Sequence, residues 1–161
     1  MATFDPVAIL AALERHRVGY VVVGELAGVI HGSGMTTRTV EITPSLKPEN
    51  LERCAAAVAD LGASRPQIKS LADLRADSDA LAISTDRGAI RITPTPAGTR
   101  GFDDLRRAAQ REPLGRGVRA AVVSLPDLIR TIDVGARAEL APLEQRLRRA
   151  AELDRILTPD I

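Results

Sequence analysis

Apolar positions recur along this chain with two different periods, and their alternation outlines the architecture. Ile9, Leu10 and Leu13 lie three to four residues apart or adjacent, a spacing that gathers side chains on one face of a helix. Asp5-Pro6 just before them is a start signal, because Asp can accept from the free N–H groups of a first turn and Pro suits its opening. That helix is expected to reach about Arg15. Val18–Val23 is β-branched and nearly continuous in apolar character, as in a strand covered on both faces. Gly24 ends it, Leu26–Ile30 reads as a short helix, and His31-Gly32-Ser33-Gly34 must turn. Arg38–Thr43 alternates weakly and reads as a second strand.

Lys47-Pro48 opens the next helix, with Leu51, Ala55, Val58 and Leu61 on one face and Gly62 closing it. Cys54 beside that face reads as a small buried residue. Residues 65–79 lack a clean period, and a short helix around Ile68–Leu74 is the reading that fits. Leu81–Thr85, the turn Asp86-Arg87-Gly88 and Ala89–Thr93 form a hairpin pattern. Thr95–Gly101 is a loop, Phe102–Gln110 a helix, Val118–Val123 a strand, and Ser124-Leu125-Pro126-Asp127 starts another helix. From about Ala138, Leu143, Leu147, Ala150, Leu153 and Leu157 line one face of a terminal helix over 137–157. There is no internal repeat and no low-complexity linker. The succession implies a single α/β domain over 1–161, a mixed β-sheet flanked by helices.

Composition narrows the function classes. Hydrophobic residues make up 45% and charged residues 27% of 161 residues, so a globular domain with a proper core is expected rather than disorder. The 22 basic and 21 acidic residues leave a net charge of +1, which supplies no global field for nucleic acid or an anionic membrane. Aromatics are limited to Phe4, Tyr20 and Phe102, without tryptophan, so the stacking platforms of single-strand binders are missing and nucleic acid is not an expected partner. No apolar run is long enough to span a bilayer, and MATFDPVAIL lacks the basic and apolar blocks of a signal peptide. The single Cys54 excludes an internal disulfide and cannot alone build a zinc site. A soluble, cytoplasmic protein is the expectation. The abundance of Ala, Leu, Val and Arg is the composition expected of a GC-rich genome.

Particular stretches carry a resemblance. VGYVVVGELAGVIHGSGMTTRTVEI at 18–42, PENLERCAAAVADLGA at 48–63, LAISTDRGAIRITP at 81–94 and VVSLPDLI at 122–129 together resemble nucleotidyltransferase-fold proteins. The likeness is particularly to the small bacterial relatives grouped with toxin–antitoxin nucleotidyltransferases. The resemblance implies a nucleotidyltransferase-like fold. In that family the first strand ends in Gly followed by Gly or Ser, whose backbone N–H groups meet a triphosphate. The second strand carries two acids separated by one residue, and a later strand carries a third. Those carboxylates hold two divalent ions that activate the attacking hydroxyl and steady the departing pyrophosphate, because hard cations need anionic oxygen ligands.

Carried over residue by residue, the resemblance places Gly24 at the first glycine and Glu25, a bulky anion, at the next position. Thr39 stands where the first acid belongs and Glu41 where the second belongs, its extra methylene moving the carboxylate by about a bond length. Arg91 takes the place of the third acid, where a guanidinium would repel a divalent ion. A lysine and an aspartate that the family often carries near its C-terminal helices correspond to Ile132 and Leu140, with Arg137 retained. The resemblance therefore implies a degenerate member without the acidic metal triad. No catalytic residue is assigned, Thr39, Glu41 and Arg91 being the degenerate positions.

What remains could still bind. Arg91 could neutralise phosphate as a fixed, bidentate cation, and Arg38, His31 and Ser33 belong to the same turn-and-strand region. The ligand-binding candidates are Gly24, Glu25, His31, Ser33, Arg38, Glu41 and Arg91. Against this stands the plainer reading that Arg91 pairs with Glu41 across the sheet. His31 in a His-Gly-Ser turn reads as a structural donor, and His16, at the end of the first helix, as solvent-exposed; neither has zinc-site spacing. Ser33 lacks a nucleophile-elbow context, and no P-loop or dinucleotide fingerprint occurs. The late arginines (106, 107, 111, 116, 119, 146, 148, 149, 155) interleave with acids and read as a solvated helix face.

Three functions stay open. The first is a non-catalytic or regulatory binder of a nucleotide or nucleotide second messenger. The second is an active nucleotidyltransferase that transfers a nucleotide to a protein or RNA hydroxyl. The third is a partner-binding half of a toxin–antitoxin pair. No cofactor is expected, Mg²⁺ entering only with the second.

Overall fold

A computed structural model describes residues 4–135. The chain order is α1 (Pro6–Arg15), β1 (Tyr20–Val23), α2 (Gly24–Ile30), β2 (Thr39–Pro44), α3 (Pro48–Asp60), α4 (Arg65–Ala72), β3 (Leu81–Thr85), β4 (Gly88–Ile92), α5 (Phe102–Leu105), β5 (Gln110–Gly115), β6 (Val118–Val122) and α6 (Leu125–Gly135). The strands form one mixed sheet in the order β3-β4-β2-β1-β6-β5. β2 runs parallel to β4 and β1 parallel to β6, while β1 and β2 are antiparallel neighbours at the centre. The expected α/β class with a mixed sheet flanked by helices is what the structure has.

The local signals act as chemistry dictates. Asp5 accepts from the Ala8 N–H at 3.0 Å, satisfying one orphan donor of the first turn of α1. α2 and α3 both close in Schellman geometry: Ser33 N–H reaches Gly28 O at 2.9 Å past Gly32, and Ala63 N–H reaches Val58 O at 3.0 Å past Gly62. Ser124 Oγ accepts from Asp127 N–H at 3.2 Å and starts α6.

Register divides the sheet into two faces. Val22, Ile42, Ile92 and Val122 are matched across strands, and with Val40, Ile83 and Ile90 they are buried to 2% exposure or less. α1 covers this face with α3 and α4 beside it, contributing Ile9, Leu10, Leu13, Cys54, Val58 and Leu71 to the core. The other face carries Val23, Glu41 and Arg91 in register. α2 packs on its β1–β2 half and α6 against α2. On its β3–β4 half, Ala82, Ser84, Ala89 and Arg91 are exposed.

Several expectations are corrected. The helix expected over Phe102–Gln110 ends at Leu105, and Gln110–Gly115 is an unanticipated edge strand, β5. It pairs only with β6, so it needs no apolar stripe, and Pro113 is tolerated there because an edge strand leaves one row of its N–H groups unused. The helix placed around Ile68–Leu74 is α4, which starts earlier at Arg65 behind N-cap Ser64, with Pro66 in its first turn. Gly24 both ends β1 and opens α2, two residues earlier than expected. His16 is not free in solvent: its ring engages Asp60, joining the ends of α1 and α3. Arg111, Arg116 and Arg119 lie on the β5–β6 hairpin, not on a helix face. Arg111 binds Glu14 at 2.5 Å and Arg116 binds Asp5, so both tie the hairpin to α1. The expected helix over 137–157, with Arg137 and Leu140, lies outside the described residues.

Candidate functional site

The site face is built where β1 turns into α2. Gly24 has φ +67, a left-handed conformation that glycine adopts without steric cost. A Cβ at this position would stand 2.9 Å from Glu41 Cδ, so Gly24 is also what lets the Glu41 carboxylate lie over the turn. Register matches Val23 with Glu41 and Glu41 with Arg91, which aligns the three central strands across this corner.

Glu41 is held on two sides. Thr93, on the extension of β4, donates its hydroxyl to Glu41 Oε2 at 2.6 Å, a charge-assisted bond of the stronger kind. Arg91 Nε stands 3.9 Å from the same oxygen, with side-chain exposures of 47% for Arg91 and 24% for Glu41. The ion pair expected across the sheet therefore exists, but it is long and half-solvated, and such pairs contribute about 0–1 kcal/mol. Thr93 was not singled out from the sequence. Its period-2 relation to Arg91 on the same strand was the available signal.

The other sequence candidates divide. Thr39 begins β2, where its N–H meets Thr37 Oγ1 at 3.2 Å. Arg38 precedes it, exposed and in no ion pair among the described residues. Glu25 is exposed in the first turn of α2. His31 donates from Nε2 to the carbonyl of Val123 at 2.7 Å, fastening the end of α2 to the end of β6; this is the structural-donor role read from its turn. Ser33 is buried at 3% exposure, and its hydroxyl accepts from Met35 N–H at 3.3 Å. Ile132 is a core residue at 5% exposure. Gly24, Glu41 and Arg91 are thus brought together with Thr93, whereas His31 is committed to the scaffold.

This corner does not fit a pair of divalent ions. It offers one carboxylate, already accepting a hydroxyl and facing a guanidinium, and the position between Glu41 and the turn is closed by direct packing on Gly24. Among the described residues no three His, Cys, Asp or Glu side chains converge as ligands. Among them, too, no helix is long and apolar enough to cross a membrane.

No protein-family model matches the chain, and neither does any curated protein.

Proposed function

We propose that this protein is a non-catalytic domain of nucleotidyltransferase-like architecture that binds a nucleotide or nucleotide second messenger without a metal. The observation that carries the reading is the division of labour at the corner. Glu41 is taken up by Thr93 and the Gly24 turn, while the Arg91 guanidinium keeps nearly half its surface in water and only a loose hold on Glu41. A planar guanidinium in that state can present two parallel N–H donors to a phosphate, which an ion-paired one cannot. Arg38, exposed just before β2, is the second cation that this reading assigns to the ligand.

The test is nucleotide binding by wild type and Arg91→Ala. Loss of one charge-assisted, bidentate contact is expected to weaken binding roughly tenfold or more. Affinity unchanged by Arg91→Ala would sink the reading.

A second reading, a partner-binding module, is favoured by one specific feature: the exposed row Ala82, Ser84, Ala89 and Arg91 on the β3–β4 half of the sheet. Absence of nucleotide binding together with a stoichiometric co-purifying protein would select it.

A further inference from the structure

A cleft of about 390 Å³ lies beyond the C-terminal ends of the parallel strands β2 and β4, lined in part by Pro44 and Pro94. Ligands of open α/β sheets collect outside the carboxyl ends of strands, and this volume is within the range of small-molecule sites. None of Gly24, Glu41 or Arg91 lines it.

Its walls are pinned before any ligand arrives. Asn50, buried at 5% exposure, donates from Nδ2 to Ser45 O at 2.7 Å and to Gly19 O at 2.9 Å, fixing the loop that enters α3. Thr95 Oγ1 donates to Ala76 O at 2.8 Å across the cleft mouth. Arg100 N–H donates to Asp104 Oδ2 at 3.0 Å. Gly101, at φ +81, lies so close to the segment that follows β4 that an added Cβ would stand 2.9 Å from Pro94 O. Order already present in the free protein is order that binding need not impose.

The charges in the lining do not cancel. Lys47 and Arg100 both line the cleft, and neither is in a salt bridge among the described residues, Arg100 acting on the Asp104 carboxylate through its N–H and, more weakly, its charge. Asp103, the acid in the lining, is bound to Arg106 at 3.2 Å. Leu46 and Phe102 supply apolar surface beside the two cations. We infer that this cleft binds a small organic phosphate monoester, with the dianionic phosphate between Lys47 and Arg100 and the organic body against Leu46 and Phe102. Two cations match a dianion; a monocarboxylate would leave one of them uncompensated.

The experiment is an NMR titration of the full chain with phenyl phosphate at low salt, with inorganic phosphate and benzoate as comparison probes. Expected are shifts confined to amides 45–47, 95 and 100–103, and weaker binding of both comparison probes. The double variant Lys47→Gln/Arg100→Gln is expected to bind phenyl phosphate at least about tenfold more weakly while keeping the wild-type spectrum elsewhere, because both side chains are on the surface. Arg91→Ala is expected to leave this binding unchanged, so failure here and failure of the nucleotide reading are separable. The inference is overturned by no binding of phenyl phosphate, by a double variant within twofold of wild type, or by shifts that centre on Gly24, Glu41 and Arg91.

Discussion

Removing the partners of Glu41 one at a time separates a structural clamp from an available cation. Thr93→Val deletes a 2.6 Å hydroxyl-to-carboxylate bond at a side chain only 24% exposed; losing a hydrogen bond to a charged group of this kind costs about 1.5–3 kcal/mol. Arg91→Ala deletes a 3.9 Å contact from a side chain 47% exposed; solvent screening holds its cost to about 0.5 kcal/mol. Urea unfolding followed by circular dichroism reads the difference. With a slope of about 2 kcal/mol per molar urea, Thr93→Val is expected to lower the midpoint by roughly 1 M and Arg91→Ala by about 0.25 M. A double-mutant cycle with Glu41→Ala is expected to assign most coupling to Thr93. An Arg91→Ala loss equal to that of Thr93→Val, or a larger Arg91–Glu41 coupling, would refute the argument: Arg91 would then be a committed ion-pair partner with little left for a ligand.

Three further outcomes follow from the same geometry. Asn50→Ala strips the Gly19 N–H of the acceptor 2.7 Å away and takes one donor from each of two carbonyls, and is expected to cost about 3 kcal/mol in urea unfolding; a loss below about 1 kcal/mol would show that these bonds are replaceable. Cys54 is fully buried, and burial pushes its thiol up to about 12, so a thiolate-selective reagent at pH 8 is expected to label the native protein only through opening; immediate stoichiometric labelling would contradict this. The Arg116 side chain, with Ala8 N–H, holds Asp5 below its usual 3.8, and the Arg100 N–H, with Arg130, does the same for Asp104. A carboxylate depressed by folding stabilises above its unfolded value, and that contribution is lost as pH falls from about 3.8 through the folded value. Melting temperature is therefore expected to fall in that window, with a shallower slope in Asp5→Asn and Asp104→Asn; an unaltered slope in both would be the contrary result.

What the sequence disclosed follows from where the apolar residues had to go. β1 is buried along its whole length and reads as a run, and α1 and α3 each have one packed face behind a clear start, with Gly62 closing α3, so periodicity and end signals found all three. β5 offered neither period nor β-branched content: QREPLG is an edge segment with mostly exposed residues, and its conformation comes from hydrogen bonding to β6. Tertiary pairing there overrides local preference. At the site, the alignment of Glu41 with Arg91 was legible through the resemblance, which put both residues at positions that the family's strands bring side by side. The strength of their contact was not, since it depends on where Thr93 and the Gly24 turn hold the carboxylate. The Lys47–Arg100 cleft was out of reach for a related reason: its two cations are 53 positions apart in the chain and meet only through the sheet's topology.

The measurement that bears most directly on the proposed function is calorimetric titration with ATP, GTP, CTP, UTP and cyclic dinucleotides, first with Mg²⁺ and then with chelator. The account predicts that at least one of them binds, that its affinity survives chelation, and that Arg91→Ala abolishes most of it. Binding that requires Mg²⁺, or release of pyrophosphate during the titration, would contradict it.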